Sequence, residues 1–141
     1  MAFSLGFGLV SSADTLPLTA PDSRVIRLEM FFQAHHCPAP FLTADYVSVA
    51  DAYVLDYRLL PAVSVRESTC GLHARLNNRW GWNSARTGFL SLRHGIEFVT
   101  RQLAFGRAYR GKTLEGKLHA YNPNPLYPSE IRRLMREIDS D

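Results

Sequence analysis

The stretch LDYRLLPAVSVRESTCGLHARLNNRWGW, residues 55–82, runs from an apolar helical segment into a polar loop, with one acid, Glu67, at the junction. A glutamate near a helix end is ordinarily a solvated surface charge. Two local features argue for another role. The turns before it carry Leu59, Leu60, Val63 and Val65, so a carboxyl lying among them is partly withdrawn from water. The C-terminal end of a helix also carries negative partial charge and disfavours an anion. Both effects favour the protonated carboxyl, the form a general acid needs. Arg66 opposes them, but adjacent helical side chains diverge and its influence is the weaker.

Residues suited to holding a sugar surround this acid in sequence. Trp80 and Trp82 alternate in an otherwise polar loop, and Tyr109, Tyr121 and Tyr127 add aromatic surface with a hydroxyl at its edge. Asn77, Asn78 and Asn83 supply amides that donate and accept together, and Ser68 places a hydroxyl beside the acid. The competing reading makes Trp80 and Trp82 core anchors of a small lobe. His35, His36, Cys37, Cys70 and His73 do not fall at zinc-ligand spacing, so neither a metal nor another cofactor is expected. Cys37 and Cys70 are small buried thiols in a reducing compartment, or a candidate disulfide in an exported protein. Such a bridge would join the turn after the first helix to the segment three residues beyond Glu67.

The elements that must position these groups read as helices. PDSRVIRLEMFFQAHH puts Val25, Leu28 and Phe32 on one face with Asp22 or Ser23 as cap, and CPAP at 37–40 ends it. TADYVSVADAYVLD follows, with Thr43 as the expected N-cap. YRLLPAVSVRES is apolar nearly all round and reads as the buried helix, Pro61 fitting its first turn and Gly71 its stop. Residues 72–90 lack a helical period and predict loops or a small β-hairpin lobe. Ser91 caps a helix bearing Leu92, Ile96, Val99 and Leu103; Thr113 caps a shorter one reaching about Tyr121. The last helix turns Ile131, Leu134, Met135 and Ile138 inward. The fold expected is mainly α, about six helices around one core with a loop or hairpin lobe.

With 141 residues the chain fits one domain, residues 21–141, preceded by an arm or signal remnant at 1–20. MAFSLGFGLVSSADT has the apolar run and small residues of a secretory signal's tail but lacks its basic start. No run approaches the roughly 18–20 apolar residues of a membrane span. The net charge of +3, carried by 14 Arg against 2 Lys, permits an anionic polymer as partner without choosing one. Arg132, Arg133 and Arg136 form the solvated face of a helix without a recognition motif, so nucleic acid is not expected.

The ordered set ADAYVLDYRLLPAVSVREST, NNRWGW, FLSLRHGIEFV, YRGKTLEGKLHAY and YNPNPLYPSEIRRLM resembles a known family over roughly residues 24–138. The likeness is to the lysozyme-like glucosaminidase domains of bacterial autolysins, the mannosyl-glycoprotein endo-β-N-acetylglucosaminidase-like family. It implies a lysozyme-like helical fold and cleavage of β-1,4 bonds in peptidoglycan, with Glu67 at the position of the general acid. YNPNP is similar to the Tyr-Asn pair of lytic transglycosylases, which implies a role near the acid for Tyr121 and Asn122. Action outside the cell, in the periplasm or at the cell wall is expected with that resemblance, and a monomer is the default expectation.

One part of the pattern is missing. Most glycosidases use two carboxylates, about 5–5.5 Å apart when retaining and about 6.5–9.5 Å when inverting. Fuller family members offer an acid from the lobe after the helix, yet here no Asp or Glu occurs from Ser68 through Ile96. Glu97 is the next, and its helical setting points to a structural or rim role. A single acid still allows attack by the substrate's own N-acetyl oxygen, giving hydrolysis, or by the 6-hydroxyl of N-acetylmuramic acid, giving an anhydro sugar. A peptidoglycan-binding module without catalysis is the rival reading, and it would keep the aromatic groove.

Overall fold

The computed structural model describes residues 18–140. Residues 1–17 of the expected arm lie outside the described residues, and residues 18–20 are exposed. Six α-helices follow: α1 (Ser23–Ala34), α2 (Thr43–Ala52), α3 (Leu59–Ser68), α4 (Leu92–Phe105), α5 (Leu114–Tyr121) and α6 (Tyr127–Asp139). There is no strand among the described residues, so the chain is mainly α. No helix among them is long and apolar enough to cross a membrane.

Helix α3 is the centre of the molecule. Leu59, Leu60, Ala62 and Val63 are buried on all its sides, and fully burying each large apolar side chain contributes ~1.5–3 kcal/mol. An all-round apolar helix has to be enclosed. Helices α4 and α6 pack against α3, α1 lies on α2 and α6, α2 on α4, and α5 on α6. From α6, Ile131, Leu134, Met135 and Ile138 enter the same core.

Three helix starts carry the expected side-chain caps. Asp22 accepts from the amide of Arg24 at 2.9 Å, Ser91 from His94 at 3.1 Å and Thr113 from Gly116 at 3.2 Å. The start of α2 differs. Thr43 is already its first helical residue, and the flanking Leu42 is left-handed at φ 54°. A side-chain cap needs an extended residue at that point, which the turn out of CPAP does not supply.

Of the two expectations for the lobe between α3 and α4, loops are what forms. Asn77, Asn83 and Ser84 sit at φ 61°, 53° and 53°, values that interrupt any extended run. A short 3₁₀ turn, Trp82–Ala85, is its only regular element among the described residues. The lobe is anchored to the helices at its root by a Cys37–Cys70 disulfide. This bridge ties the α1–α2 turn to the segment leaving α3, and a 33-residue closure is worth roughly 3–4 kcal/mol against the unfolded chain.

Candidate active site

Glu67 stands in the last turn of α3, where the buried helix emerges beneath the lobe. Its side chain is held between two environments. Oε1 is buried and has no hydrogen-bond partner, while Oε2 lies toward Gly81, whose added Cβ would meet it at 2.9 Å. Gly81 adopts φ +61°, a backbone shape that favours glycine. Arg66 turns the other way and forms an ion pair with Glu130 of α6. The diverging directions of adjacent helical residues thus keep the guanidinium off Glu67 without a direct pair.

Beside Glu67 a cleft of about 610 Å³ opens. Glu67, Trp82, Tyr109, Tyr121 and Asn122 all line it, brought from α3, the lobe, the α4–α5 connection and the end of α5. The Trp82 ring lies 5.9 Å from that of Tyr109 and 6.0 Å from that of Tyr121, giving one continuous aromatic wall. The turn behind Asn122 is rigid: its Oδ1 accepts from the amide of Asn124, whose own Oδ1 accepts from Leu126.

Tyrosines close the floor. The Tyr121 hydroxyl donates to the carbonyl of Trp80, and the Tyr121 ring stacks on Tyr127 at 6.0 Å and 6°. Tyr127 is fully buried, and its hydroxyl, without a hydrogen bond, lies beside the Glu67 carboxyl. Burial first, and the charge of Glu67 second, push both phenols above their ordinary range. At neutral pH they are therefore uncharged donors. Burial likewise raises Tyr109.

Other residues expected to bind substrate prove to be structural. Trp80 is completely buried, edge-on to Tyr46 and Phe89, and so close to α4 that a Cβ on Gly95 would meet its ring at 2.3 Å. The left-handed Gly81 between the two tryptophans sends one ring into the core and the other to the cleft. Asn78 is buried and spends its amide on the lobe, donating to the carbonyls of Trp82 and Thr87 and accepting from the Trp82 amide. Asn77 donates to Phe89 at 3.0 Å and lies off the cleft. Ser68 donates to the carbonyl of Arg79 at 2.6 Å and accepts from the Gly71 amide, which locks the lobe onto α3. These groups build the site without facing it.

The cleft also gathers residues outside the sequence-derived set, among them Gln102 of α4, Ser84 and Arg107. Gln102 lies off the apolar stripe of α4, which marks it only as surface, and nothing in the sequence connects it with Glu67. Among the described residues Glu67 is the one carboxylate lining the cleft. Glu97 is exposed and accepts from the Tyr53 hydroxyl at 3.1 Å, away from it. No group of three or more His, Cys, Asp or Glu comes together among the described residues as a metal would require.

Chemically, the arrangement offers one carboxyl at an aromatic wall, with neutral amides and hydroxyls around it. Among known proteins, no family model, curated protein or solved structure matches the chain.

Proposed function

We propose that this protein cleaves β-1,4 glycosidic bonds of peptidoglycan, as an endo-β-N-acetylglucosaminidase with Glu67 as general acid. The observation that carries the reading is the Glu67 carboxyl on the lining of an aromatic-walled cleft, one oxygen buried and the other close to Gly81, which also lines the cleft. Sugar rings present apolar faces to aromatic side chains, and Trp82, Tyr109 and Tyr121 offer such a wall. The mainly α architecture is compatible with the lysozyme-like fold that the sequence resemblance implies.

With a single carboxylate, the nucleophile comes from the substrate. Glu67 gives its proton to the bridging oxygen as the bond from that oxygen to C1 breaks, and the leaving sugar departs with a free hydroxyl. The acetamido oxygen of the cleaved residue closes on C1 and forms an oxazolinium ring. Water then attacks C1, loses a proton to the Glu67 carboxylate and restores the N-acetyl group. One residue serves as acid and then as base.

The same lone carboxylate supports a second outcome. After cleavage beside N-acetylmuramic acid, the Glu67 carboxylate takes the proton of the 6-hydroxyl as that oxygen attacks C1, and a 1,6-anhydro sugar is released. Mass spectrometry of soluble products from purified peptidoglycan separates the routes, because the anhydro product is lighter by one water and resists borohydride. Glu67→Gln, nearly isosteric but unable to deliver a proton, should abolish release while leaving helix content unchanged. Undiminished release by that variant removes Glu67 from the mechanism. Protein that pellets with cell wall yet frees no sugar would be a binding module instead.

A further inference from the structure

Besides Glu67, one other charged side chain lines the cleft among the described residues, Arg107. It forms no ion pair with Glu67, since none exists between them within 4.0 Å. The acids nearest to it in sequence are committed elsewhere. Glu97 accepts from Tyr53, and Glu115 is held by Arg132 at 2.6 Å and His119 at 3.3 Å. Among the described residues, seven of the fourteen arginines pair with carboxylates, as Arg24 does with Asp22 and Asp51 and Arg58 with Asp56 and Asp139, and Arg107 is among the seven that do not. Arg107 keeps its guanidinium for whatever enters the cleft.

Its support is fixed rather than loose. The segment GRAYRGK, residues 106–112, holds Arg107, Arg110 and Lys112 and no acid. The amides of Tyr109 and Arg110 both donate to the carbonyl of Gly106 at 2.9 Å, and Lys117 donates to the carbonyl of Tyr109 at 3.1 Å. Arg107 is therefore carried on a hydrogen-bonded turn next to the aromatic wall. The remaining polar lining of the cleft (Asn83, Ser84, Gln102, Asn122) is neutral. A site with one carboxyl for chemistry and one unpaired guanidinium on its lining is complementary to a glycan that itself bears an acid.

Building on the glycosidase reading, we infer that Arg107 selects anionic glycan by receiving a carboxylate of the muramoyl unit. Neutral oligomers of N-acetylglucosamine lack that partner. A guanidinium fork matches a carboxylate through two parallel N–H···O bonds, which an amide or hydroxyl cannot reproduce. Two sources supply this chemistry, the lactyl carboxylate of peptide-free strands and the free carboxylates of a stem peptide. In an open cleft the contact is exposed to salt, and its strength falls as ionic strength rises.

The test uses Glu67→Gln protein, which holds glycan without turnover, with and without Arg107→Gln. Dissociation constants are measured for peptide-free muramoyl tetrasaccharide, for the same glycan bearing stem peptide, and for chitotetraose. A carboxylate-bearing ligand should bind about tenfold more tightly than chitotetraose at low salt, the scale of a charge-assisted hydrogen bond. Arg107→Gln should erase that advantage and leave chitotetraose affinity unchanged. The larger loss, on the peptide-free or the peptide-bearing strand, identifies the carboxylate. Equal affinity for all three ligands, or an equal loss on all three in Arg107→Gln, overturns the inference while leaving the glycosidase reading intact. Failure of all three to bind overturns both.

Discussion

The hydroxyl of Tyr127 lies beside the carboxyl of Glu67 inside the protein, and neither that hydroxyl nor Glu67 Oε1, both buried, is hydrogen-bonded. An unmade hydrogen bond of this kind costs about 1–3 kcal/mol, so a small rotation that joins the two is favoured. The Tyr127 phenol is neutral and has a proton to donate. On the proposed glycosidase reading, that proton would engage one carboxyl oxygen and leave the other to deliver the acid's proton, which would make Tyr127, off the cleft lining, a positioning residue.

Tyr127→Phe keeps the ring and its stack on Tyr121 and removes only the hydroxyl. Its kcat should fall about tenfold or more, within the range that general acid catalysis contributes, while KM stays near that of the parent. The thermal midpoint should fall modestly at most, because the ring and its stack on Tyr121 are kept. A purely structural hydroxyl would show the reverse pattern, lower stability with kcat intact.

The two tryptophans should separate cleanly in mutagenesis. Trp80→Ala empties the core between α2 and α4 and should cost about 3–5 kcal/mol in chemical denaturation. Trp82→Ala opens the cleft wall and should weaken glycan affinity by about tenfold, with a smaller change in stability. Equal stability losses would show that Trp82 is as structural as its neighbour.

Gly81→Ala tests how tightly the acid is seated. The new methyl would stand 2.9 Å from Glu67 Oε2 on a residue at φ +61°, so the variant bears backbone strain and pushes that oxygen aside. Destabilisation of about 1–2 kcal/mol and a loss of activity beyond that expected from the folded fraction should appear together. Full activity in a folded Gly81→Ala protein would mean that Oε2 delivers no proton.

Reduction of the Cys37–Cys70 bridge releases the segment leaving α3, three residues beyond Glu67. Cys37→Ser/Cys70→Ser should lose roughly 3–4 kcal/mol of stability, and its activity should decline at temperatures where the oxidised protein still works. Thiol titration of native protein should find no reactive thiol until reductant is added.

Alkaline pH should loosen the floor of the cleft. Burial raises the folded-state values of Tyr121 and Tyr127 above that of an unfolded tyrosine. Their contribution to stability is therefore complete below pH ~10 and is lost as pH rises through the folded values. Urea denaturation across pH 8 to 11 should show this decline, and Tyr127→Phe should flatten part of it. A decline of unchanged size in that variant would place the titration elsewhere.

Local composition and periodicity determined the helical part of this protein by themselves. The side-chain caps at Asp22, Ser91 and Thr113, the apolar stripe of α6 and the all-round apolar α3 each follow from residues a few positions apart. Short-range hydrogen bonds and the burial of one face are enough to specify them. Glu67 stood out for a similarly local reason, the apolar turns that precede it. The roles of residues in the lobe were a different matter. Ser68, Asn77, Asn78, Trp80 and Trp82 have side chains equally suited to ligand or to structure, and their direction is set by left-handed residues and by contacts from distant helices. Only the tertiary structure sent Trp80 to Gly95 and Trp82 to the cleft, brought Tyr127 beside Glu67 from 60 positions away, and left Arg107 unpaired at the wall. Long-range packing decides such matters, because a side chain's use depends on which neighbours the fold delivers to it.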